Sequence, residues 1–195
     1  MKYSIDVKVP SSQAWLDAVM GDFNEFLKDH ADCERKASAM ATSLIAKYPD
    51  REKIIPDMIE TAIEELEHFQ QVFEIMQQRG VPLNKEMKED PYIKQLMPLT
   101  HGGTAESRFL SRMLLGSIVE CRGCERFRMV SEAQENFELK KFYKMLWTSE
   151  AKHGNIFVEL ALHYFDEKTV YDRLNEMMEI EGEVVRNLSI RPALH

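Results

Sequence analysis

The sequence predicts an all-α protein, a four-helix bundle with one long crossover and extra short terminal helices. Three observations predict it. Long stretches rich in Ala, Leu, Met, Glu and Lys show little β-branched alternation. The eight glycines and seven prolines are sparse, and Pro49, Gly80, Pro82 and the pair in HGGTAES mark breaks between those stretches. The breaks between the long stretches run short, long, short.

The elements follow in order. A short helix is expected over 11–20. The first long helix covers 22–47 and is closed by Pro49. The second covers 52–79, with Pro56 in its first turn or so, where proline is best tolerated, and Gly80 and Pro82 after it. The crossover, 80–103, holds a short helix over 91–97. The stretch HGGTAES (101–107) opens the third long helix, 104–132. The fourth, 135–164, follows a break near Ala133–Gln134, and a last helix covers about 167–187. A helix of about 28 residues is roughly 42 Å long, a length that suits a bundle. Short breaks make antiparallel neighbours and a single long one joins two pairs, which is the ferritin-like variant of the bundle.

At 195 residues the chain is expected to form one domain, 1–195. A hydrophobic fraction of 44% with 30% charged residues fits a folded globular protein. No apolar run is long enough to span a membrane. The opening MKYSIDVKVPSSQ lacks the apolar centre of a signal peptide. No membrane partner and a cytoplasmic location are therefore expected. Three cysteines argue against a disulfide framework. Cys121 and Cys124 form C-x-x-C, but no second pair completes a zinc site, and two small residues on a helix is the simpler reading. The net charge of −8 disfavours a general nucleic-acid binder, and DNA is not expected as a partner. The charge is uneven: residues 166–183 hold seven acids against two bases, whereas 104–153 hold nine bases against seven acids.

The chemistry lies in the apolar stripes. The first long helix presents Phe23, Leu27, His30, Glu34, Ala37, Ala41 and Leu44 along one face. The second presents Met58, Ala62, Glu65, Phe69, Val72 and Met76, with His68 beside Glu65. The third presents Phe109, Met113, Gly116, Glu120, Gly123, Phe127 and Val130. The fourth presents Leu139, Tyr143, Leu146, Glu150, His153, Phe157 and Leu160. One glutamate interrupts each stripe near its middle. Glu-x-x-His occurs in two of them, as Glu65/His68 and Glu150/His153. Residues i and i+3 lie about 60° apart around a helix, so each pair reaches one point. The spacing repeats too: 31 residues separate Glu34 from Glu65, and 30 separate Glu120 from Glu150.

A carboxylate in an apolar core is costly unless paired or bound to a cation. Four at one level repel one another, and two divalent ions answer that repulsion, halving the formal charge of −8. Glu34, Glu65, His68, Glu120, Glu150 and His153 are thus the expected ligands of a dimetal centre. Mixed carboxylate and imidazole donors suit iron or manganese better than calcium or zinc. Six side chains on two ions leave positions open for water, O2 or substrate. Gly116, Gly123 and Ala37 leave room near the ions, or serve close helix packing. The ligand set matches that of the ferritin-like di-iron carboxylate bundles, in which a glutamate from each of two helices joins a Glu-x-x-His pair from each of the other two.

The stretches DHADCERKAS (29–38), EELEHF (64–69), IVECRGCERF (118–127) and SEAKHG (149–154) together resemble the bacterial tRNA 2-methylthio-N6-isopentenyladenosine hydroxylases, over about residues 11–190. The resemblance implies a non-haem di-iron monooxygenase. Its substrate would be the modified adenosine beside the anticodon of tRNA, whose isopentenyl group gains a hydroxyl. It implies two iron ions (Fe2+/Fe3+) on the six residues, with Glu65 and Glu150 bridging, and O2 as co-substrate. The di-iron centre itself would be the catalytic group. No dinucleotide fingerprint or iron–sulfur cysteine set is present, so a separate reductase or electron-donor protein is implied. Contacts to the anticodon loop are expected from Arg108, Arg112, Arg122, Arg126, Lys141, Lys144 and Lys152, unless these pair with nearby acids. Lys85, Lys88, Lys94 and His101 of the crossover are further candidates. The rival is a bacterioferritin- or rubrerythrin-like iron-storage or peroxide-handling protein, although the rubredoxin-type cysteines and a haem motif are missing. A manganese catalase or a small-molecule oxygenase is a second rival.

Overall fold

Short polar side chains cap three of the four long helices in the computed structural model, which describes residues 5–195. The expected domain and the N-terminal reading extend to residues 1–4, which lie outside the described residues. Among the described residues there are seven α-helices, two 3-10 turns and no strand. The described residues divide into two compact units, 17–89 with 191–194, and 5–16 with 90–190 and 195. Helix α1 (Gln13–Gly21) runs across that division.

The first unit is built on α2 (Phe23–Lys47) and α3 (Ile55–Gln78), joined through a 3-10 turn at Glu52–Ile54. Asp22 caps α2 by accepting the Glu25 N–H at 3.1 Å, which satisfies one of the donors a helix start leaves open. Pro56 occupies the first turn of α3, where its missing N–H costs nothing. Gly80 ends α3 with φ of 67°, a conformation that favours glycine. There the Gly80 N–H reaches the Gln77 carbonyl at 3.1 Å and the Val81 N–H reaches Met76 at 2.9 Å. Leu27, Ala31, Ala41, Leu44, Met58, Val72 and Met76 form the buried faces, and Ser38 Oγ donates to the Ala62 carbonyl at 2.8 Å to tie the two helices.

The second unit holds α4 (Pro91–Leu96), a 3-10 turn at Met97–Thr100, α5 (Ala105–Ala133), α6 (Phe137–Ala161) and α7 (Glu167–Asn187). Thr104, Asn136 and Asp166 cap α5, α6 and α7 through the N–H groups of Ser107, Leu139 and Thr169. Helices α5 and α6 approach closely because glycines face side chains. A Cβ on Gly116 would sit 2.9 Å from the Phe157 ring, and one on Gly154 would sit 2.8 Å from Cys121 Sγ. Phe109, Phe127, Tyr143, Leu146 and Phe157 are buried around this seam. Full burial of such a side chain stabilises the fold by about 1.5–3 kcal/mol. The seam places the middle turns of α5 and α6 side by side, where their stripe glutamates lie.

Candidate metal centre

In the first unit Glu34 comes from α2, and Glu65 and His68 from α3. All three are buried, with 3%, 1% and 5% of their surface exposed. One ligand atom of each lies within 4.8 Å of the others. His68 Nδ1 stands 3.4 Å from Glu65 Oε2 and 3.8 Å from Glu34 Oε2. In the second unit α5 supplies Glu120 and α6 supplies Glu150 and His153. These are equally buried, and one ligand atom of each again lies within 4.8 Å of the others. His153 Nδ1 is 3.4 Å from Glu150 Oε2, the same separation as in the other pair.

That separation is longer than a good N–H···O bond, about 2.7–3.2 Å. It is close to the spacing of two donors that each bind one ion at about 2.0–2.2 Å. The charge balance points the same way. Each unit buries two carboxylates, with His30 Nε2 2.5 Å from Glu34 Oε1 in the first. A divalent cation offsets the repulsion of such carboxylates with an oxygen-rich donor set that admits one imidazole. The residues present therefore fit an iron-type ion in each unit.

Gly123 lies against this chemistry, since a Cβ there would come within 4.0 Å of Glu150 Cγ. Gly116 serves the packing of Phe157 instead. Cys121 and Cys124 belong to no potential ligand cluster among the described residues. Burial pushes their thiols up to about 12 and about 11, which keeps both protonated and inert at neutral pH.

The expected RNA contacts separate. Lys141, Lys144 and Lys152 are exposed on α6. Arg108 and Arg112 are half-buried on α5, and Arg108 donates to the Gly103 carbonyl at 2.6 Å. Lys88 is exposed but forms an ion pair with Glu25. Arg122 and Arg126 correct the expectation. Arg122 is fully buried. It donates to Glu181 through Nε at 2.8 Å and Nη2 at 3.0 Å, and to Glu125 at 2.9 Å. Its remaining donors reach the Val9 carbonyl at 2.8 Å and Ser11 Oγ at 3.3 Å. Five N–H donors meet five acceptors, so nothing is left for a phosphate. The Arg126 guanidinium lies 4.7 Å from the centre of the Trp15 ring, and its Nε donates to Ser11 Oγ at 3.0 Å.

Sequence reasoning also missed the part played by His30. It stood on the first stripe, four residues before Glu34, and that spacing was the available signal. Its Nε2 lies 2.5 Å from Glu34 Oε1.

Four stripe glutamates and two Glu-x-x-His pairs on these helices define a protein of the ferritin-like di-iron class, with the four-helix bundle and long crossover of that fold. The comparisons narrow the class. The model of the family described as tRNA-(MS[2]IO[6]A)-hydroxylase (MiaE) matches residues 4–195, and the chain belongs to that family. A tRNA 2-(methylsulfanyl)-N(6)-isopentenyladenosine(37) hydroxylase of Pseudomonas putida is 35% identical over 179 residues, covering 91% of this chain and 85% of that protein. The hydroxylase of the same name from Salmonella typhimurium is 25% identical over 227 residues, covering 90% and 82%. A solved structure of a Synechococcus protein with aldehyde deformylating oxygenase activity superimposes with a TM-score of 0.89. It has 27% sequence identity and covers 95% of this chain and 92% of its own. Iron storage or peroxide handling is not favoured by these matches. No helix is long and apolar enough to cross a membrane, among the described residues.

Proposed function

We propose that this chain hydroxylates the isopentenyl group of 2-methylthio-N6-isopentenyladenosine beside the anticodon of tRNA. One observation carries the reading: two buried Glu/Glu/His sets of matching geometry in a chain that the hydroxylase family spans almost from end to end. Glu34, Glu65, His68, Glu120, Glu150 and His153 would hold two iron ions within the single domain the sequence predicts. Bound iron supplies the reduction of O2, a chemistry that amino-acid side chains lack.

The chain's own part is placement. Helices, rather than loops, carry all six ligands: α2 and α3 place one set and α5 and α6 the other. His68 and His153 turn Nδ1 toward the neighbouring glutamate, which supports Nδ1 as the binding nitrogen of each. Burial of every carboxylate keeps bulk water from competing for them. The balance of the reaction is R–H plus O2, two electrons and two protons giving R–OH and water. The electrons come from a separate donor protein. Lys141, Lys144 and Lys152 are the residues proposed to meet the RNA backbone, in the cytoplasm where tRNA is modified.

The test uses purified, iron-loaded protein, a chemical reductant, O2 and tRNA that bears the isopentenyl modification. After digestion, the modified nucleoside should have gained the mass of one oxygen atom. A nucleoside unchanged in mass while the iron is oxidised would leave the metal site and remove the tRNA reading.

A further inference from the structure

The two halves differ at the residue four before the stripe glutamate of α2 and α5. Glu34 has a hydrogen-bond donor on its own helix, four residues earlier and therefore one turn away. His30 is fully buried and Glu34 nearly so. His30 Nε2 lies 2.5 Å from Glu34 Oε1, while Glu34 Oε2 is the oxygen that faces His68 Nδ1, at 3.8 Å. The ring of His30 is held by Phe26, itself fully buried, at 5.8 Å between centroids. The residue four before Glu120 is Gly116, which has no side chain to offer, and whose space is filled by the Phe157 ring.

We propose that His30 is a positioning residue that holds Oε1 of Glu34, so that Glu34 offers a divalent ion one oxygen, Oε2, in a fixed place. The inference rests on the reading of Glu34 as a metal ligand. A carboxylate has two oxygens and can swing between binding through one and through both. A buried N–H on one oxygen removes that freedom and orients the other. His30 thereby presets the place of an ion that Glu34 would hold through Oε2.

The test is a Co2+ titration of metal-free protein followed by visible absorption, so the readout is metal binding rather than activity. Wild type should bind two ions. His30→Leu should weaken one of them about tenfold to a hundredfold and shift its absorption bands, leaving the other unchanged. His30→Gln, which puts an amide nitrogen near the place of Nε2, should restore binding to within a few-fold of wild type. In the His30→Leu/Glu34→Gln double variant, loss of His30 should add nothing to the loss from Glu34→Gln alone. Two ions bound by His30→Leu as in wild type would overturn the inference. So would His30→Gln as defective as His30→Leu, since His30 would then be a metal ligand itself. If His30→Leu loses its far-UV helix signal, His30→Gln and His30→Asn carry the test, because the shorter amide falls short of Glu34. Equal binding by those two overturns the inference. Glu34→Gln binding both ions normally would instead remove Glu34 from the ligand set.

Discussion

Replacing Arg122 with Met should be among the most damaging single changes outside the metal ligands. The guanidinium is fully buried, and Glu181, its partner from α7, is only 2% exposed. Arg122 makes two charge-assisted bonds to Glu181 and one to Glu125. Methionine keeps most of the volume but leaves the Glu181 carboxylate buried, with the Tyr92 hydroxyl still donating to it at 3.0 Å. Breaking a buried pair from one side costs about 3–5 kcal/mol. At about 2–4 °C per kcal/mol for a chain of this size, the melting temperature should fall by roughly 10 °C. The second arm is the Arg122→Met/Glu181→Met double variant, in which both charges leave together. It should recover most of that loss, because the desolvation cost of the pair disappears with it. Urea denaturation of the metal-free proteins, read by circular dichroism, measures both. A loss under about 1 kcal/mol for Arg122→Met, or a double variant no better than the single, would refute the reasoning. Unchanged stability with reduced tRNA affinity would return Arg122 to the RNA surface.

Three further outcomes follow from the same structure. Glu120→Ala should lose bound metal and hydroxylation while its far-UV circular dichroism stays helical; full activity would take Glu120 out of the ligand set. Lys141→Glu with Lys144→Glu should weaken tRNA binding and lower the slope of log affinity against log salt by about 1.5, since each backbone contact contributes roughly 0.7–0.9. An unchanged slope would place the RNA surface elsewhere. Cys121 and Cys124, with thiols raised to about 12 and 11, should resist iodoacetamide at about pH 8 in the folded protein and react once it is unfolded in urea. Rapid labelling of either in the native state would contradict the raised thiols.

The helices were legible because their signals are local. Asp22, Thr104, Asn136 and Asp166 are short polar residues that accept an N–H three residues on, and each marks a helix start. The expected first long helix, 22–47, differs from Phe23–Lys47 by one residue, and Pro49 and Gly80 ended segments as their backbones require. The stripes on α5 and α6 are buried as read, which is why Glu120, Glu150 and His153 stood out. On α3 the buried face is rotated slightly. Thr61 and His68 are buried where Ala62 and Phe69 were read, and apolar Ile59, Ile63 and Leu66 are exposed. Periodicity could not resolve that shift, because this helix carries apolar residues on both sides. Arg122 was misread for a different reason. Its run, ECRGCERF, looks like a solvated charged face, and the residue that buries it, Glu181, lies 59 positions away. The acidic stretch 166–183 likewise concealed that one of its carboxylates is internal. His30 was visible on its stripe, but its role depends on which Glu34 oxygen it holds, and that is a matter of rotamer rather than spacing.

The most direct measurement is a single turnover counted against iron. Protein loaded with Fe2+ is exposed to 18O2 in the presence of excess isopentenyl-modified tRNA, and hydroxylated nucleoside is weighed against iron oxidised. One labelled hydroxyl is expected for every two ferrous ions consumed, with no product from Glu120→Ala. Iron oxidised without labelled nucleoside, or product formed at full yield by the variant, would contradict that expectation.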